Sequence, residues 1–329
     1  MFYVETDSKD AAFHFSAEEY FMGRFSEPVM MLWRTNPCVM LGRYQAASAE
    51  INMDYAEKAG VQIVRRSSGG GTIFTDLNTI LYTMILPYTE EQCTRQIAKE
   101  AVAGPVIDAL NQMGVPAKLE GRNDILADGK KISGMAQYVQ NNRLCTHGSL
   151  LYDTDLEMLT RVLNVDKDKI RSKAISSVRS RVTNIKEYTD HCSTMEFYEL
   201  LKKKLHESQV IQKYTLSAND LGEIENIYHQ KYGNPAWVFG KSPKFSFHNS
   251  KRFEEGKVEI YLNVIKGVIE SCSIRGDFLG TISIRGLEEH FKGAAFQYRV
   301  ISNTLDGVTL RPYLGGITKD QLLACMFEG

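Results

Sequence analysis

Residues 61–86 read VQIVRRSSGGGTIFTDLNTILYTMIL and carry the clearest structural signal in the chain. The first four residues alternate as a strand does, and Ser67 to Gly71 form a glycine-rich loop. Residues 72–75 and 81–86 are again rich in β-forming side chains. The stretch therefore predicts a strand, a loop and further strands in that order.

The loop has the composition of a ligand-binding segment. Three glycines let backbone N–H groups approach an anion or an acyl chain, and Arg65 and Arg66 add fixed positive charge. A plain glycine turn is the ordinary interpretation of such a run, but the flanking arginines and strands favour a ligand cradle. The segment is neither a P-loop nor a GxGxxG motif, because the required spacing is missing.

The composition is that of an ordinary globular protein. The 329 residues predict two domains, and with 43% hydrophobic and 24% charged residues they exclude disordered and collagen-like chains. Because 39 Lys and Arg balance 40 Asp and Glu, any basic site must be local. Six cysteines without a CxxC pair favour reduced thiols in a cytoplasm, and no signal-peptide or membrane-spanning pattern appears.

Periodicity and turn residues predict the elements around this stretch. Helices are expected at residues 10–25, 53–59, 96–113 (with a kink at Gly104-Pro105), 155–163, 195–208 and 218–231, the last ended by Asn234-Pro235-Ala236-Trp237. Hairpin turns are expected at Asp128-Gly129 and Asn141-Asn142.

These elements predict an α+β fold with two domains. Residues 1–240 would form a large domain with a mixed or antiparallel sheet and flanking helices, because hairpins outnumber βαβ units. Residues 241–246 resemble a linker. Residues 247–329 would form a small α+β domain, with turns at Glu255-Gly256 and Lys266-Gly267 and a closing helix near residues 319–327.

A second chemical motif lies on the first hairpin. Gly121-Arg122-Asn123-Asp124 precedes Lys130-Lys131-Ile132-Ser133-Gly134. Strand alternation lets only one of the two lysines point inward, where its ammonium could stabilise charge in phosphoryl or nucleotidyl transfer. A solvated lysine is the ordinary alternative. Asp124 suits either Mg²⁺ or an Asx turn.

A third segment, residues 169–186, holds six cations and four serines without an acid. It suits a mobile anion-binding loop, a solvated basic loop or a nucleic-acid contact, although interleaved aromatic residues are absent. His147 ranks lower as a functional residue, because a hydrogen-bonded core histidine is more common. No HExxH motif or serine nucleophile elbow is present.

The motifs together resemble the lipoate-protein ligases of the biotin/lipoate ligase superfamily, two-domain bacterial type. The resemblance spans nearly the whole chain. The motifs that carry it are Leu41-Gly42-Arg43-Tyr44-Gln45, Arg65 to Gly71, Gly121-Arg122-Asn123-Asp124, Lys131-Ile132-Ser133-Gly134-Met135-Ala136, His147-Gly148, Ser177-Val178-Arg179 and Asn234-Pro235-Ala236-Trp237.

The resemblance implies a two-step reaction: lipoate and Mg-ATP give lipoyl-AMP and pyrophosphate, and the lipoyl group then passes to an acceptor lysine. The implied acceptors are the glycine cleavage H protein and the E2 subunits of 2-oxoacid dehydrogenases. The implied enzyme is a cytoplasmic monomer.

The resemblance also assigns residues. Lys131 would contact the lipoyl carbonyl and the α-phosphate as an electrostatic catalyst, and residues 169–186 would cover the adenylate. The implied ATP and adenylate residues are Arg66, Gly71, Thr72, Ile73, Phe74, Asn123, Asp124, Lys131 and Arg179. The implied lipoate residues are Ser68, Gly70, Gly71, Lys131, Ala136 and His147.

One segment departs from the family. Many members have His-Asp-Leu-Gly-Asn where this chain has Thr75-Asp76-Leu77-Asn78-Thr79, which bears on acyl-chain preference.

Two alternatives remain at this stage. An ATP-independent acyltransferase would carry a cysteine upstream of the lysine motif, and residues 121–129 have none, while Cys145 suits a small packed residue. A non-catalytic nucleotide- or nucleic-acid-binding protein is the other.

Overall fold

The computed structural model describes residues 1–121, 123–163, 181–189, 193–207, 210–240 and 246–327, with only the backbone of residues 48 and 49. The strands within these ranges are β1 (Phe2–Val4), β2 (Val29–Trp33), β3 (Cys38–Leu41), β4 (Gln62–Arg65), β5 (Ile73–Thr75), β6 (Thr79–Pro87), β7 (Ala117–Glu120), β8 (Asp124–Ala127), β9 (Lys130–Gln140), β10 (Arg143–Leu151), β11 (Gln212–Tyr214), β12 (Phe247–Phe253), β13 (Gly256–Ile265) and β14 (Val268–Gly276).

The α-helices of the same ranges are α1 (Ala11–Arg24), α2 (Ala47–Glu50), α3 (Met53–Lys58), α4 (Thr94–Ile97), α5 (Gly104–Gln112), α6 (Leu156–Val162), α7 (Thr194–Glu207), α8 (Ala218–Ile227), α9 (Pro235–Val238), α10 (Arg285–Phe291), α11 (Tyr298–Leu305), α12 (Arg311–Leu314) and α13 (Lys319–Phe327). π-helical segments follow α4 (Ala98–Ala103) and α8 (Tyr228–Tyr232), and Ile185–Tyr188 is a 3₁₀ helix.

The largest sheet has eight strands in the order β11-β1-β2-β6-β10-β9-β8-β7. β1 is parallel to both β11 and β2, and the remaining neighbours are antiparallel. With helices beside it, this mixed sheet confirms the predicted α+β class.

A smaller three-stranded sheet places the glycine-rich loop. β3 lies in its centre, parallel to β4 and antiparallel to β5. The chain that joins β4 to β5 must therefore cross the end of β3, and the Arg66 N–H donates to the carbonyl of Leu41 at that end. The predicted strand, loop and strand order is confirmed.

The hairpin turns follow directly from their residues. Asp128 and Gly129 have φ of 48° and 75°, and Asn141 and Asn142 have φ of 52° and 53°. Two consecutive positive φ values are the geometry that tight hairpins need, and Asn, Asp and Gly adopt them at least cost. Both predicted turns are confirmed, and they align β8 with β9 and β9 with β10.

The predicted long helix is also present, as α4, a π-helical segment and α5, and a change of helix type marks the predicted kink position. The π-helical segment ends at Ala103, directly before Gly104-Pro105. Proline lacks the N–H that a regular helix needs, and a π-helical turn is one way in which a helix accommodates the missing bond.

The C-terminal residues form their own core. β12, β13 and β14 make an antiparallel meander, and α10 to α13 pack on it through buried Leu287, Phe291 and Leu322. Of the predicted linker, residues 241–245 lie outside the described residues. Among the described helices, none is long and apolar enough to cross a membrane.

Helix α1 carries a buried histidine. The Asp10 side chain caps the helix by accepting from the Ala12 N–H. One turn later, the His14 ring stacks on Trp33 with 4.4 Å between ring centroids. His14 Nε2 donates to the carbonyl of Ser8 at 3.0 Å. Burial lowers the pKa of His14 to about 4, because the charged imidazolium would lose its hydration.

This histidine predicts acid sensitivity. Because its pKa is lowered on folding from 6.5 to about 4, the unfolded chain binds more protons between these pH values. His14 therefore contributes a loss of stability of roughly 1.4 kcal/mol per pH unit on acidification through that window. We expect His14→Gln, which keeps a donor for Ser8, to flatten this part of the pH dependence of urea unfolding. His229→Gln, at a 69% exposed side chain, is the control and should keep the wild-type slope.

Candidate functional site

Arg66 holds the glycine-rich loop from inside. Its guanidinium donates to the Ser68 hydroxyl and to the carbonyls of Met40, Gly69 and Gly71, at 2.7–3.2 Å. The residue is buried, and burial lowers the pKa of Arg66 to about 10. Because the guanidinium N–H groups already donate to these partners, the main role of Arg66 is to fix the shape of the loop.

Arg65 joins the loop to two other segments. It donates to the carbonyls of Gly42 and Gln45 at 2.9 and 2.6 Å, and to that of Val238 at 2.8 Å. The Trp237 indole N–H donates back to the Arg65 carbonyl at 2.8 Å. The Asn-Pro-Ala-Trp motif, predicted to end a helix, thus forms the N-cap and the first three residues of α9 and packs on the loop.

Two consecutive carboxylates on α1 hold two consecutive serines of the loop. Glu18 contacts His147 Nδ1 at 3.0 Å, and His147 Nε2 lies 2.6 Å from the Ser68 hydroxyl. Glu19 accepts from the Tyr232 hydroxyl at 2.7 Å, and that hydroxyl lies 2.6 Å from the Ser67 hydroxyl.

The second of these clamps includes a cation. Lys231 Nζ lies 2.5 Å from Glu19 and 4.6 Å from the centroid of the Trp237 ring. Burial is the largest influence on the pKa of Lys231 and lowers it. The pKa of Tyr232 is raised well above its usual range, first by burial and then by Glu19. The phenol therefore stays protonated and can donate.

Strand β9 brings the predicted lipoate residues together. Ala136 pairs with His147 in the β9/β10 ladder. A Cβ built on Gly70, whose φ is +90°, would lie 4.0 Å from the Cβ of Ala136. Ser68, Gly70, Ala136 and His147 therefore meet at one place, where the loop crosses the large sheet.

Lys131 lies on the same strand. The β8/β9 ladder pairs Ile125 with Ser133 and Leu126 with Lys131, so Ile132 is an extra residue in a bulge. Bulges redirect side chains near functional sites. Lys131 Nζ lies 2.8 Å from an Asp124 carboxylate oxygen, and a Cβ on Gly134 would come within 2.8 Å of that Nζ. Because Gly134 has no side chain, it leaves room for the side chain of Lys131.

The two predicted lysines differ as alternation requires. Lys130 is exposed, whereas Lys131 is partly buried and its carbonyl accepts from the Thr183 N–H at 3.0 Å. Thr183 belongs to the end of the predicted basic loop. Residues 169–180 of that loop, including Arg179, lie outside the described residues.

The remaining residues predicted to bind the nucleotide lie in different surroundings. Thr72 donates its hydroxyl to Gln45 at 2.8 Å, and Asn123 donates its amide to the Met135 carbonyl. Ile73 and Phe74 pair with Met40 and Val39, and the Phe74 side chain is buried in the core around β3. Phe74 therefore offers only its backbone to a ligand.

The C-terminal part contacts the loop directly. The Phe278 carbonyl accepts from the Gly70 N–H at 3.2 Å, and a Cβ on Gly69 would lie 2.4 Å from that oxygen. The Phe278 ring stacks on Tyr44, with ring centroids 5.0 Å apart. The loop is thus shaped from both parts of the chain.

Cys145 does not have the environment of a nucleophile. It is fully buried on β10, and burial followed by the charge of Glu18 raises the pKa of its thiol well above the usual range. A thiolate is the reactive form, so this geometry disfavours a thioester mechanism at Cys145.

Sequence reasoning missed Glu18, Glu19 and Tyr232. Glu18 follows His14 by four residues, on a helix face whose neighbours Phe15 and Met22 are apolar. A carboxylate in such a stripe is rarely buried without a partner. This pattern was the available signal, but it does not identify the partner.

Comparisons with known proteins match both the N-terminal and the C-terminal part of the chain to lipoate ligases. Residues 10–206 match the family model described as the lipoyl protein ligase A/B catalytic domain, and residues 242–326 match that of the bacterial lipoate protein ligase C-terminus. The chain is 36% identical to lipoate-protein ligase LplJ of Bacillus subtilis over 99% of its length and 100% of the relative's. It is 32% identical to lipoate-protein ligase 1 of Staphylococcus aureus, with 96% and 97% covered.

Solved structures share the fold. LipL1 of P. falciparum, crystallised with lipoate, superposes with a TM-score of 0.78 at 23% identity, covering 94% of both chains. A lipoate-protein ligase A bound with ATP gives a TM-score of 0.63 at 24% identity, covering 73% of this chain and 98% of that one.

The loop geometry predicts a contrast between two glycines. A Cβ on Gly42 would lie 1.9 Å from the Gly70 carbonyl oxygen, so Gly42→Ala must displace the loop backbone. We expect it to lower the free energy of unfolding by roughly 1–3 kcal/mol in urea titrations. Gly222→Ala is the control, because the new methyl group meets nothing within 4 Å and lies on a helix. It should be neutral or stabilise by up to about 1 kcal/mol.

Proposed function

The chain belongs to the lipoate-protein ligase family, and from this premise we propose how its residues carry out ATP-dependent lipoate ligation. Lipoate and ATP give lipoyl-AMP and pyrophosphate, and the lipoyl group passes to a lysine of an acceptor protein. The observation that carries the residue assignment is the position of Lys131, on the strand whose Ala136 meets the glycine-rich loop.

The chemistry requires charge compensation. A carboxylate is a poor acyl donor and becomes activated when AMP is its leaving group. Bringing it to the α-phosphate opposes two negative groups, which cations and N–H donors must offset. We assign this role to the ammonium of Lys131, which acts electrostatically and forms no covalent bond to substrate. The exposed Gly71 and its neighbours Thr72 and Ile73 would supply backbone donors.

The nucleotide half of the site would extend from the glycine-rich loop toward β8. Arg66 would contribute by shaping the loop, Phe74 through its backbone, and Asn123 by fixing β9 against the β7/β8 turn. Arg179 and the basic loop would cover the adenylate, as the family resemblance implies.

Asp124 fits a magnesium ion. Mg²⁺ in nucleotide sites is held by one or two carboxylates together with phosphate oxygens, and Asp124 presents a partly exposed carboxylate beside Lys131. The ion would neutralise phosphate charge when bound. Asp124 would then divide its two oxygens between Lys131 and the metal.

The acyl half would lie where Ser68, Gly70, Ala136 and His147 meet. The Thr75 departure from the family pattern is buried, and its hydroxyl lies 2.8 Å from that of Thr35. The Asp76 carboxylate accepts from the Asn78 N–H and from the Thr79 hydroxyl. The segment that departs from the family pattern therefore forms a turn. It would bear on acyl-chain preference through packing.

The finer assignments are proposals of the same kind. The acceptors would be the glycine cleavage H protein and E2 lipoyl domains. A structural analysis of a bi-partite lipoate protein ligase of Thermoplasma acidophilum, which has the same fold, also concerns its E2 lipoyl domain. We infer a catalytic domain at residues 1–240 and an accessory domain at 247–329, in a monomeric cytoplasmic enzyme.

Lys131→Ala should abolish the first half-reaction. Loss of a preorganised charge at a reacting centre costs about 100- to 1,000-fold in rate. We expect lipoate-dependent pyrophosphate release to fall by at least that factor, with unchanged circular dichroism. Lys130→Ala, at the exposed neighbour, is the matched control and should stay close to wild type. Near-normal release by a folded Lys131→Ala protein would exclude the assigned role.

Cys145→Ser should separate ligase from thioester chemistry. Serine keeps the size and the donor of the thiol but cannot form a thioester. We expect the variant to keep pyrophosphate release and acceptor lipoylation within about tenfold of wild type, measured by mass spectrometry of an added lipoyl domain. Complete loss of transfer, with pyrophosphate release retained, would favour a covalent cysteine intermediate.

A further inference from the structure

Glu18 lies at the centre of a buried set of hydrogen-bond donors. Its carboxylate accepts from the Thr83 hydroxyl at 2.7 Å and lies 3.0 Å from His147 Nδ1. The Cys145 thiol also hydrogen bonds to it, and the ligand atoms of Glu18, Cys145 and His147 lie within 4.8 Å of one another. Three donors thus converge on one acceptor.

These contacts form a chain of hydrogen bonds, and the groups at its two ends set the direction of each bond. The Trp33 indole N–H can only donate and reaches the Thr83 hydroxyl at 3.0 Å, so Thr83 passes its own hydrogen to Glu18. At the other end, Arg66 Nε–H can only donate and reaches the Ser68 hydroxyl at 3.0 Å.

In its neutral form, the imidazole between these ends has one consistent arrangement. A carboxylate only accepts, so His147 Nδ1 must carry the hydrogen that faces Glu18. A neutral imidazole then leaves Nε2 as an acceptor, and the Ser68 hydroxyl donates to it across 2.6 Å. Every donor in the chain from Trp33 to Arg66 is matched.

We propose that Glu18 is a positioning residue, which fixes His147 in the Nδ1–H tautomer so that Ser68 is oriented for lipoate activation at the glycine-rich loop. The proposal rests on the proposed function. It extends that function to a residue on a helix outside the loop and outside β9.

The geometry favours positioning over covalent catalysis. The order of acid, histidine and serine matches that of a hydrolytic triad. However, Ser68 is fully buried and Arg66 occupies its oxygen, so its hydroxyl is held in place instead of facing a substrate carbonyl. Orientation of the loop is the role that these contacts support.

Glu19 provides a matched control from the same helix. It is the next residue, it is also a carboxylate, and it holds the next serine of the loop through Tyr232. Glu19→Gln should weaken that clamp but leave the His147 tautomer unchanged. Glu18→Gln removes the negative charge and replaces one of the two oxygens beside His147 Nδ1 by an amide N–H, which weakens the preference for the Nδ1–H tautomer.

The first experiment measures the imidazole itself. With ¹⁵N-labelled histidine, the wild-type protein without substrate should show His147 as the Nδ1–H tautomer, assigned by loss of its signals in His147→Asn. Glu18→Gln should shift the signals toward the other tautomer or a mixture, and Glu19→Gln should not. An Nε2–H tautomer in wild type, or an unchanged tautomer in folded Glu18→Gln, overturns the proposal. If a variant does not fold, an Nε2–H tautomer in the wild-type spectrum still overturns the proposal.

The second experiment measures coupling to activity. We expect Glu18→Gln to lower kcat for lipoate-dependent pyrophosphate release about tenfold, with KM for ATP unchanged. Ser68→Ala in the Glu18→Gln background should add little, because both act in one chain of contacts. In the Glu19→Gln background, the fold-loss in kcat caused by Ser68→Ala should multiply with the fold-loss caused by Glu19→Gln. Multiplied effects of Glu18→Gln and Ser68→Ala overturn the proposal. Wild-type protein without lipoate-dependent release overturns the proposed function instead, and the spectrum then decides the role of Glu18.

Discussion

Two buried guanidinium groups organise the site. A loop with three glycines has no side chains to define its path, so its shape must come from hydrogen bonds to its backbone. Arg65 and Arg66 supply them, by donating to carbonyls of the loop, of residues 42–45 and of α9. Burying two cations is costly, and the carboxylates of Glu18 and Glu19 each reach the same loop through one intervening residue.

The large sheet positions the other half of the site. β6, β10 and β9 pair without a break beside the loop, and His147 on β10 hydrogen bonds to Ser68 of the loop. Farther along β9, the bulge at Ile132 and the absence of a side chain at Gly134 let Lys131 reach Asp124. Strand β9 thus fixes the separation between the Lys131 ammonium and the loop, as the electrostatic role proposed for that group requires.

The C-terminal part adds a third constraint. Phe278 contacts the loop through its carbonyl, while its ring packs on Tyr44 from the segment that Arg65 also holds. Any ligand that displaced Gly70 would alter this contact. The C-terminal part is therefore in direct contact with the glycine-rich loop, although its residues carry none of the motifs quoted for chemistry.

Local features follow from nearby residues: the hairpins at Asp128-Gly129 and Asn141-Asn142, the loop of residues 67–71, and the rule that only one of Lys130 and Lys131 can point inward. Each depends on backbone angles or alternation within a few residues, which side-chain type controls directly. Motif spacing likewise indicated the family. Other contacts are visible only in the tertiary structure. Glu18 and Glu19 hold Ser68 and Ser67 through intervening residues, Arg66 donates to the loop carbonyls, and the Phe278 carbonyl accepts from Gly70. These contacts join residues far apart in the chain, and their partners are chosen by sheet order and helix packing, which no local pattern records.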